Sequence, residues 1–315
     1  MTRLAPTLVV LVLLVATALA FGAAERLKLE RSPIAAPEID KVFSPVCDCD
    51  SDRARIGFRL RRRDTISLAI VDLEGRIVRR LADSARVAAG PFVRTWDGRD
   101  EAGELVPQGI YRPRLRLARG RRTIILPNPI RVDTKPPSVM RIDVEPEGFS
   151  PDGDGRNDRL TVSYAVSEPA NALLFVNGRR QVRTRFRPLA GQLPWFGIAD
   201  GRPLPAGRYR IALAAEDVAG NVGPRTEAEL VTIRYISLAR DRLRARARTR
   251  FGVRVTTDAR AFRWRFAGGT GAAPSGLLVL RAPRRPGRYT LFVSANRHGT
   301  FASVVVIPRA GRRPR

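Results

Sequence analysis

The stretch FSPDGDGRNDRLTVSYAV, Phe149 to Val166, repeats an earlier one, FSPVCDCDSDRARIGFRL, Phe43 to Leu60. The two align without a gap. Phe-Ser-Pro opens both, Asp48 matches Asp154, Asp52 matches Asp158 and Arg53 matches Arg159. Ile56, Phe58 and Leu60 match Val162, Tyr164 and Val166. Apolar residues at every second position mark a strand with one buried face. An acidic loop leading into such a strand therefore occurs twice, and an internal repeat of this kind organises the whole reading.

The far ends of the copies match too. VPQGIYRPRLRL (Val106 to Leu117) resembles LPAGRYRIALAA (Leu204 to Ala215), and a third version, RPGRYTLFVSA, spans Arg285 to Ala295. Each reads Gly, one residue, Tyr, then an alternating strand. Glycine supplies a turn conformation that a Cβ would penalise. The tyrosine can bury its ring while its hydroxyl reaches backbone, as at the tyrosine corner of a β-sandwich. Each copy also has one tryptophan, Trp96, Trp195 and Trp264. One such aromatic per small sandwich is ordinary core anatomy, so each reads as a core plug rather than a ligand platform.

The expected fold is therefore all-β, three tandem immunoglobulin-like β-sandwiches at about 41–133, 138–233 and 236–308. VDTKPPS (Val132 to Ser138) is a stiff joint, because two prolines fix φ and restrict the residue before them. Residues 25–40 are expected to be a charged stalk with prolines, and 309–315 a basic tail. Residues 4–24 read LAPTLVVLVLLVATALAFGAA, an apolar run without a charge, with Arg3 before it. It suits an N-terminal signal or transmembrane helix over 1–24. Ala18-Leu19-Ala20 offers a cleavage point, whereas the continuation through Phe21-Gly22-Ala23-Ala24 suits an uncleaved anchor. Either way the body is expected outside the cytoplasm, at the cell membrane or secreted, where disulfides are permitted.

The 315 residues carry a net charge of +27, with a hydrophobic content of 44% that suffices for packed cores. Lys28, Lys41 and Lys135 are the only lysines; every other cation is arginine. A GC-rich genome writes such an imbalance at surface positions whatever the partner. The field of so many charges exists regardless, and it draws polyanions.

The first copy carries a more specific pattern, Gly75-Arg76-Ile77-Val78-Arg79-Arg80-Leu81, then Trp96-Asp97-Gly98-Arg99-Asp100 through Val106-Pro107-Gln108-Gly109-Ile110-Tyr111. It resembles the immunoglobulin-like domain of the bacterial flagellar hook-capping protein (the FlgD/Vpr type), over roughly one quarter of the chain. The second copy opens in the manner of the same superfamily in exported bacterial proteins. Its tryptophan motif is degraded to Trp195-Phe196-Gly197-Ile198-Ala199-Asp200. DVAGNVG (Asp217 to Gly223) recurs in bacterial surface modules, and the third copy resembles a bacterial immunoglobulin-like domain only generically. The resemblance implies a sandwich scaffold, with W-D-G-x-D as a structural turn. It does not imply the hook-capping task, because this module is grafted onto many exported proteins.

Three sets of residues are candidate sites. Asp152, Asp154, Asn157 and Asp158 alternate in a glycine-rich loop and could turn their oxygens toward one Ca²⁺. The competing reading is a loop whose Asp side chains cap turns. The pattern lacks the glutamate of an EF-hand. Calcium is the one cofactor in view. In the first copy Cys47 and Cys49 replace Gly153 and Gly155. A local Cys47–Cys49 disulfide is the leading reading, though so small a ring is strained. An intermolecular disulfide stays open. A soft-metal site would need more ligands than two thiolates, and the sole histidine, His298, lies two modules away. Finally Arg242, Arg244, Arg246, Arg248 and Arg250 alternate; on one strand they would form a ladder for phosphate or carboxylate groups. The competing reading is a solvated edge strand whose charge blocks aggregation.

The chain has no G-x-S-x-G elbow and no phosphate-binding G-x-x-x-x-G-K-[ST] loop, and one histidine speaks against histidine-based catalysis. The expectation is a non-catalytic, extracytoplasmic, membrane-anchored structural or interaction protein. Its expected partners are an envelope protein or an anionic cell-wall polymer met by the arginine ladder, not nucleic acid. A component of a flagellar- or secretion-type appendage is the rival reading.

Overall fold

The alternation read at Ile56, Phe58 and Leu60 is a strand in the computed structural model, and all three side chains are buried. The backbone is described for residues 4–29 and 32–308, and side chains for 9–21 and 32–308. The expected basic tail, 309–315, lies outside the described residues. Among the residues whose side chains are described, strand makes up 56% and helix 6%, which places the chain in the all-β class. The chain divides into two compact units, residues 1–134 and 135–315.

The first unit contains α1 (Leu4–Leu29), then β1 (Ile34–Ile39), β2 (Val42–Phe43), β3 (Ala54–Leu60), β4 (Asp64–Val71), β5 (Ile77–Val87), β6 (Gly90–Trp96), β7 (Gly109–Leu117), β8 (Arg122–Ile125) and β9 (Ile130–Val132). One sheet has the order β1-β3-β6 and the other β2-β9-β7-β4-β5, with β8 beside β7. The core between them holds Phe43, Ile56, Phe58, Leu60, Ile66, Leu68, Trp96, Leu115 and Ile130.

The second unit repeats this plan twice. First come β10 (Val139–Glu145), β11 (Gly148–Phe149), β12 (Leu160–Val166), β13 (Asn171–Val176), β14 (Arg179–Arg183), β15 (Ala190–Trp195), β16 (Ile198–Ala199), β17 (Arg202–Pro203), β18 (Gly207–Glu216) and β19 (Glu229–Ile233). Then come β20 (Ile236–Leu238), β21 (Arg242–Arg246), β22 (Arg250–Thr257), β23 (Phe262–Phe266), β24 (Gly269–Ala273), β25 (Gly276–Arg281), β26 (Gly287–Ala295) and β27 (His298–Ile307). Their sheets are β10-β12-β15 with β11-β19-β18-β13-β14, and β20-β22-β25 with β21-β27-β26-β23-β24. Each pair of sheets encloses its own apolar core. All three sandwiches thus set a three-stranded sheet against a larger one of the same five-strand order, to which the first sandwich adds β8. In each, a parallel pair closes one edge: β2 with β9, β11 with β19, β21 with β27.

The repeated residues do the same work in each copy. Phe43 packs on Trp96 with ring centroids 5.4 Å apart, and Phe149 on Trp195 at 5.5 Å. The indole N–H of Trp96 donates to Arg99 O at 2.9 Å and that of Trp195 to Ile198 O at 2.8 Å. Gly98 and Gly197 then turn the chain at φ +72° and +66°. A Cβ at Gly98 would lie 2.8 Å from Pro45, and one at Gly197 2.7 Å from Pro151. The proline of Phe-Ser-Pro therefore rests against the glycine after the tryptophan in both copies. The corner tyrosines are equally regular: Tyr111, Tyr209 and Tyr289 donate to Pro107, Pro205 and Arg285 carbonyls at 2.8, 2.8 and 2.9 Å. Asp217 and Asn221 of DVAGNVG are buried and hydrogen-bond each other through side chain and backbone. That bracket sets Gly223, where a Cβ would collide with Pro137 O.

Two expectations are corrected. Residues 34–39, expected in a stalk, form β1 paired with β3, because Ile34 and Ile39 are apolar enough to enter the core. Pro37 is tolerated there because β1 is an edge strand whose register shifts between Ala35 and Glu38. Trp264 sits in β23, on the larger sheet, and not at the end of the strand that Trp96 and Trp195 terminate. It is only partly buried against the third core. As for the expected span, among the described residues no helix is long and apolar enough to cross a membrane. Side chains are described for 13 residues of α1, 9–21, and all are exposed.

Gly98 and Gly75 both have positive φ, but nothing lies within 4 Å of a Cβ at Gly75. Gly75→Ala should cost about 1 kcal/mol of backbone strain. Gly98→Ala should add about 1–3 kcal/mol from collision with Pro45. Hydrogen exchange of the amides in residues 54–60 should accelerate in the second variant and hardly in the first. Burial pushes the Tyr209 hydroxyl above its ordinary value of 10.0, so it stays a donor at neutral pH. Tyr209→Phe should cost about 1 kcal/mol there. The folded value is the higher one, so this advantage is full below pH 10 and fades as pH rises through it. Thermal melting at pH 7 and above pH 10 checks both halves.

Candidate functional site

Two regions of the second unit gather functional groups. The first is the outer face of the five-stranded sheet of the third sandwich. In β21 the burial alternates, Leu243 and Ala245 inward, Arg242, Arg244 and Arg246 outward. The strand lies at the sheet edge and pairs with β27, so Arg242 stands beside Ser303, Arg244 beside Val305 and Arg246 beside Ile307. One strand further, β26 sets Arg288 beside Val305 and Phe292 beside Phe301. Next, β23 sets Arg265 beside Phe292 and Arg263 beside Ser294. Strands about 4.8 Å apart and alternate residues about 6.7 Å apart make this an oblique band about 30 Å long. The Arg265 guanidinium lies 5.3 Å from the centre of the Phe292 ring, and Phe301 is 67% exposed. A shallow pocket of about 470 Å³ opens between Arg263, Arg265, Thr270 and Phe292.

The expected five-residue ladder is thus divided. Arg248 sits in the turn after β21 with φ +65°, and Arg250 begins β22 in the opposite sheet, beside Arg281. A sandwich strand must end where the chain crosses between sheets, so the alternation cannot carry through Ala247–Thr249. Arg263, Arg265 and Arg288 join the first three instead. Nothing in one strand's sequence signals their approach, because the register of β26 and β23 decides it. Only two acidic residues, Asp241 and Asp258, fall between 236 and 308.

The second region is the joint between the second and third sandwiches. Only Arg234 and Tyr235 separate β19 from β20. Tyr235 is buried, donates to Leu204 O at 2.7 Å, and stacks flat on His298 with centroids 3.5 Å apart. Beside it, the Phe-Ser-Pro loop of the second sandwich meets two loops of the third. Asn296 Nδ2 donates to Asp152 Oδ2 at 2.7 Å, and Arg156 Nη1 to Asp258 O at 3.3 Å. Carboxylate oxygens of Asp152, Asp154 and Asp258 lie within 4.8 Å of one another.

The acidic loop resolves residue by residue. Asp158 caps the loop: its two oxygens accept from the Gly153 and Gly155 amides, each at 2.7 Å. Asn157 gives its carbonyl to the Ser150 amide at 2.8 Å and takes φ +47°. Asp152 and Asp154 face the joint, and their third companion is Asp258, which no pattern around Asp152 signals. Burial pushes the Asp258 carboxyl above its ordinary value, and the charges of Asp152 and Asp154 push the same way. In the first copy the corresponding loop keeps the bond from Ser44 N, to Ser51 O at 3.1 Å. There Cys47 and Cys49 are joined by a disulfide.

A scan against protein-family models finds no match, and no curated protein matches the chain. Among solved structures, the I9–I11 tandem of titin is similar at 10% identity and a TM-score of 0.31, covering 88% of this chain and 100% of that one. A 1.5-MDa bacterial ice-binding adhesin is similar at 12% identity and 0.28, covering 88% and 97%. SGBP-B of the Bacteroides ovatus mixed-linkage glucan utilization locus, solved in complex with a mixed-linkage heptasaccharide, is similar at 14% identity and 0.22, covering 87% and 71%. The assignment of the chain as tandem immunoglobulin-like sandwiches rests on the shared sheet order and the tyrosine corners, not on these scores.

Proposed function

We propose that the chain is a non-catalytic, extracytoplasmic interaction protein, held at a bacterial cell membrane by its N-terminal helix, that binds anionic envelope polymer through the third sandwich. One observation carries this reading. Six arginines, Arg242, Arg244, Arg246, Arg263, Arg265 and Arg288, share one sheet face with Phe292 and Phe301, and no Asp or Glu stands in the paired rows between them. Guanidinium is weakly hydrated and forks onto carboxylate and phosphate, so a band of it suits a chain of repeated negative charge. Phe292 and Phe301 supply apolar area of the sort that sugar ring faces cover.

The anchoring rests on the apolar run of 4–24 and on α1, whose described side chains are all exposed. The one polar side chain among them, Thr17, turns its hydroxyl back to Leu13 O at 2.7 Å, as an apolar surrounding requires. The FlgD/Vpr-type reading of the first sandwich rests on the motif from Trp96 to Tyr111. We keep the module limits 41–133, 138–233 and 236–308, the first now extended by β1, as part of the same proposal.

The test titrates the full chain, in neutral detergent micelles, with polygalacturonate and with uncharged dextran. Polygalacturonate should bind at low salt and weaken steeply as salt rises; dextran should not bind. Changing Arg242, Arg244 and Arg246 together to Glu should weaken binding at least tenfold. The same charge change at the exposed Arg185, Arg208 and Arg210 of the second sandwich should leave most of it. Equal loss in both variants, or no binding at all, overturns the proposal.

A further inference from the structure

We propose that Asp152, Asp154 and Asp258 together hold a divalent cation of the calcium class at the joint between the second and third sandwiches. Three carboxylates within 4.8 Å repel one another unless a cation or a proton lies among them. The second observation is Asp258 itself. Each of its carboxylate oxygens exposes less than 1 Å², and neither accepts a hydrogen bond among the described residues. A buried carboxylate without a partner is costly, and a ligand is the usual remedy. Nearby protein donors are mostly engaged by other groups. Asn296 donates to Asp152 and Arg156 reaches the Asp258 backbone oxygen, while the Ser150 hydroxyl is divided between Asp152 Oδ2, at 3.5 Å, and the Asp258 carboxyl.

The donors are hard oxygens alone, with no thiolate, which favours calcium over transition metals. Ser150, Asn157 and Asp258 line a cleft of about 380 Å³, room for the waters that complete six to eight ligands. Such an ion would join the Phe-Ser-Pro loop of one sandwich to the loop after β22 in the next. Two of its ligands come from the repeated loop and the third from the neighbouring sandwich. Only the correct seating of the two sandwiches assembles the set. The ion is then a clamp on the two-residue connection Arg234-Tyr235, independent of polymer binding.

The test uses the full chain in detergent micelles, stripped with chelator and titrated with calcium chloride by calorimetry. One strong site is expected, with a dissociation constant of roughly 10⁻⁴ to 10⁻³ M as in extracellular modules. Calcium should also slow tryptic cleavage after Arg234, which is exposed in the connection. Asp258→Asn and Asp154→Asn should each weaken binding at least tenfold and remove the protection. Asp154 is exposed, so its variant decides the matter should Asp258→Asn fail to fold. Absence of binding at 10 times that range, unchanged binding in Asp154→Asn, or equal protection by magnesium at the same ionic strength overturns the proposal.

Discussion

In the first two sandwiches a proline ring lies against a glycine that has no room for a side chain, and the remaining order follows from that contact. Pro45 on Gly98 and Pro151 on Gly197 hold the leading loop over the tryptophan turn. With the loop fixed, Phe43 and Phe149 drop onto their indoles, and the two-residue strands that end at these phenylalanines pair in parallel with the last strand of their sandwich. That parallel pair joins the second strand of a sandwich to its last and so closes the edge. The close approach fixes geometry through sterics, while the ring pairs add about 0.5–1.5 kcal/mol each beyond their burial. The third sandwich reaches the same order without the motif. Its β21 is longer and forms five pairs with β27, so backbone hydrogen bonds replace the proline contact.

The same loop shows how one scaffold position serves different ends. In the second copy Gly153 and Gly155 present their amides to Asp158, which needs backbone at positive φ. In the first copy cysteines stand in those places and a covalent bridge constrains the loop. Asp152 and Asp154 each accept one loop amide, from Asp154 and Arg156, and bring carboxylate oxygens near Asp258 of the third sandwich. Function in such chains sits at loops and sheet faces, because the sheets behind them are rigid.

Charge follows the same division. The arginines of the third sandwich are spread over its sequence, yet the pairing of β21, β27, β26 and β23 collects six on one face. Elsewhere arginines are spent locally. Arg183 pairs with Glu216 at 2.7 Å, and Arg225 covers the Phe175 ring at 3.9 Å. Pairing of this kind quenches the field of the second sandwich, whereas the third has almost no acid to do so.

The repeat, the alternating strands and the Gly-x-Tyr corners were legible in the sequence, because each depends on neighbours within a dozen residues. Trp96 and Trp195 as core plugs were legible for the same reason. The fate of Trp264 was not, since one tryptophan per copy says nothing about which sheet carries it. Residues 34–39 looked like stalk because a strand of only six residues, broken by Pro37, has too little alternation to announce itself; its partner β3 makes it a strand. The alternation of arginines runs along one strand face as far as Arg246 and ends where the chain changes sheets. The acidic loop offered four equivalent ligands in sequence. Only folding separated Asp158, both of whose oxygens accept amides, from Asp152 and Asp154, which accept one each, and brought Asp258 to them from the next sandwich. By itself the sequence determined what is local, the strands, turns and corners, because backbone preference and side-chain period act over short spans. The tertiary structure alone decided which distant arginines and carboxylates meet, because register and the seating of one sandwich on the next set those distances.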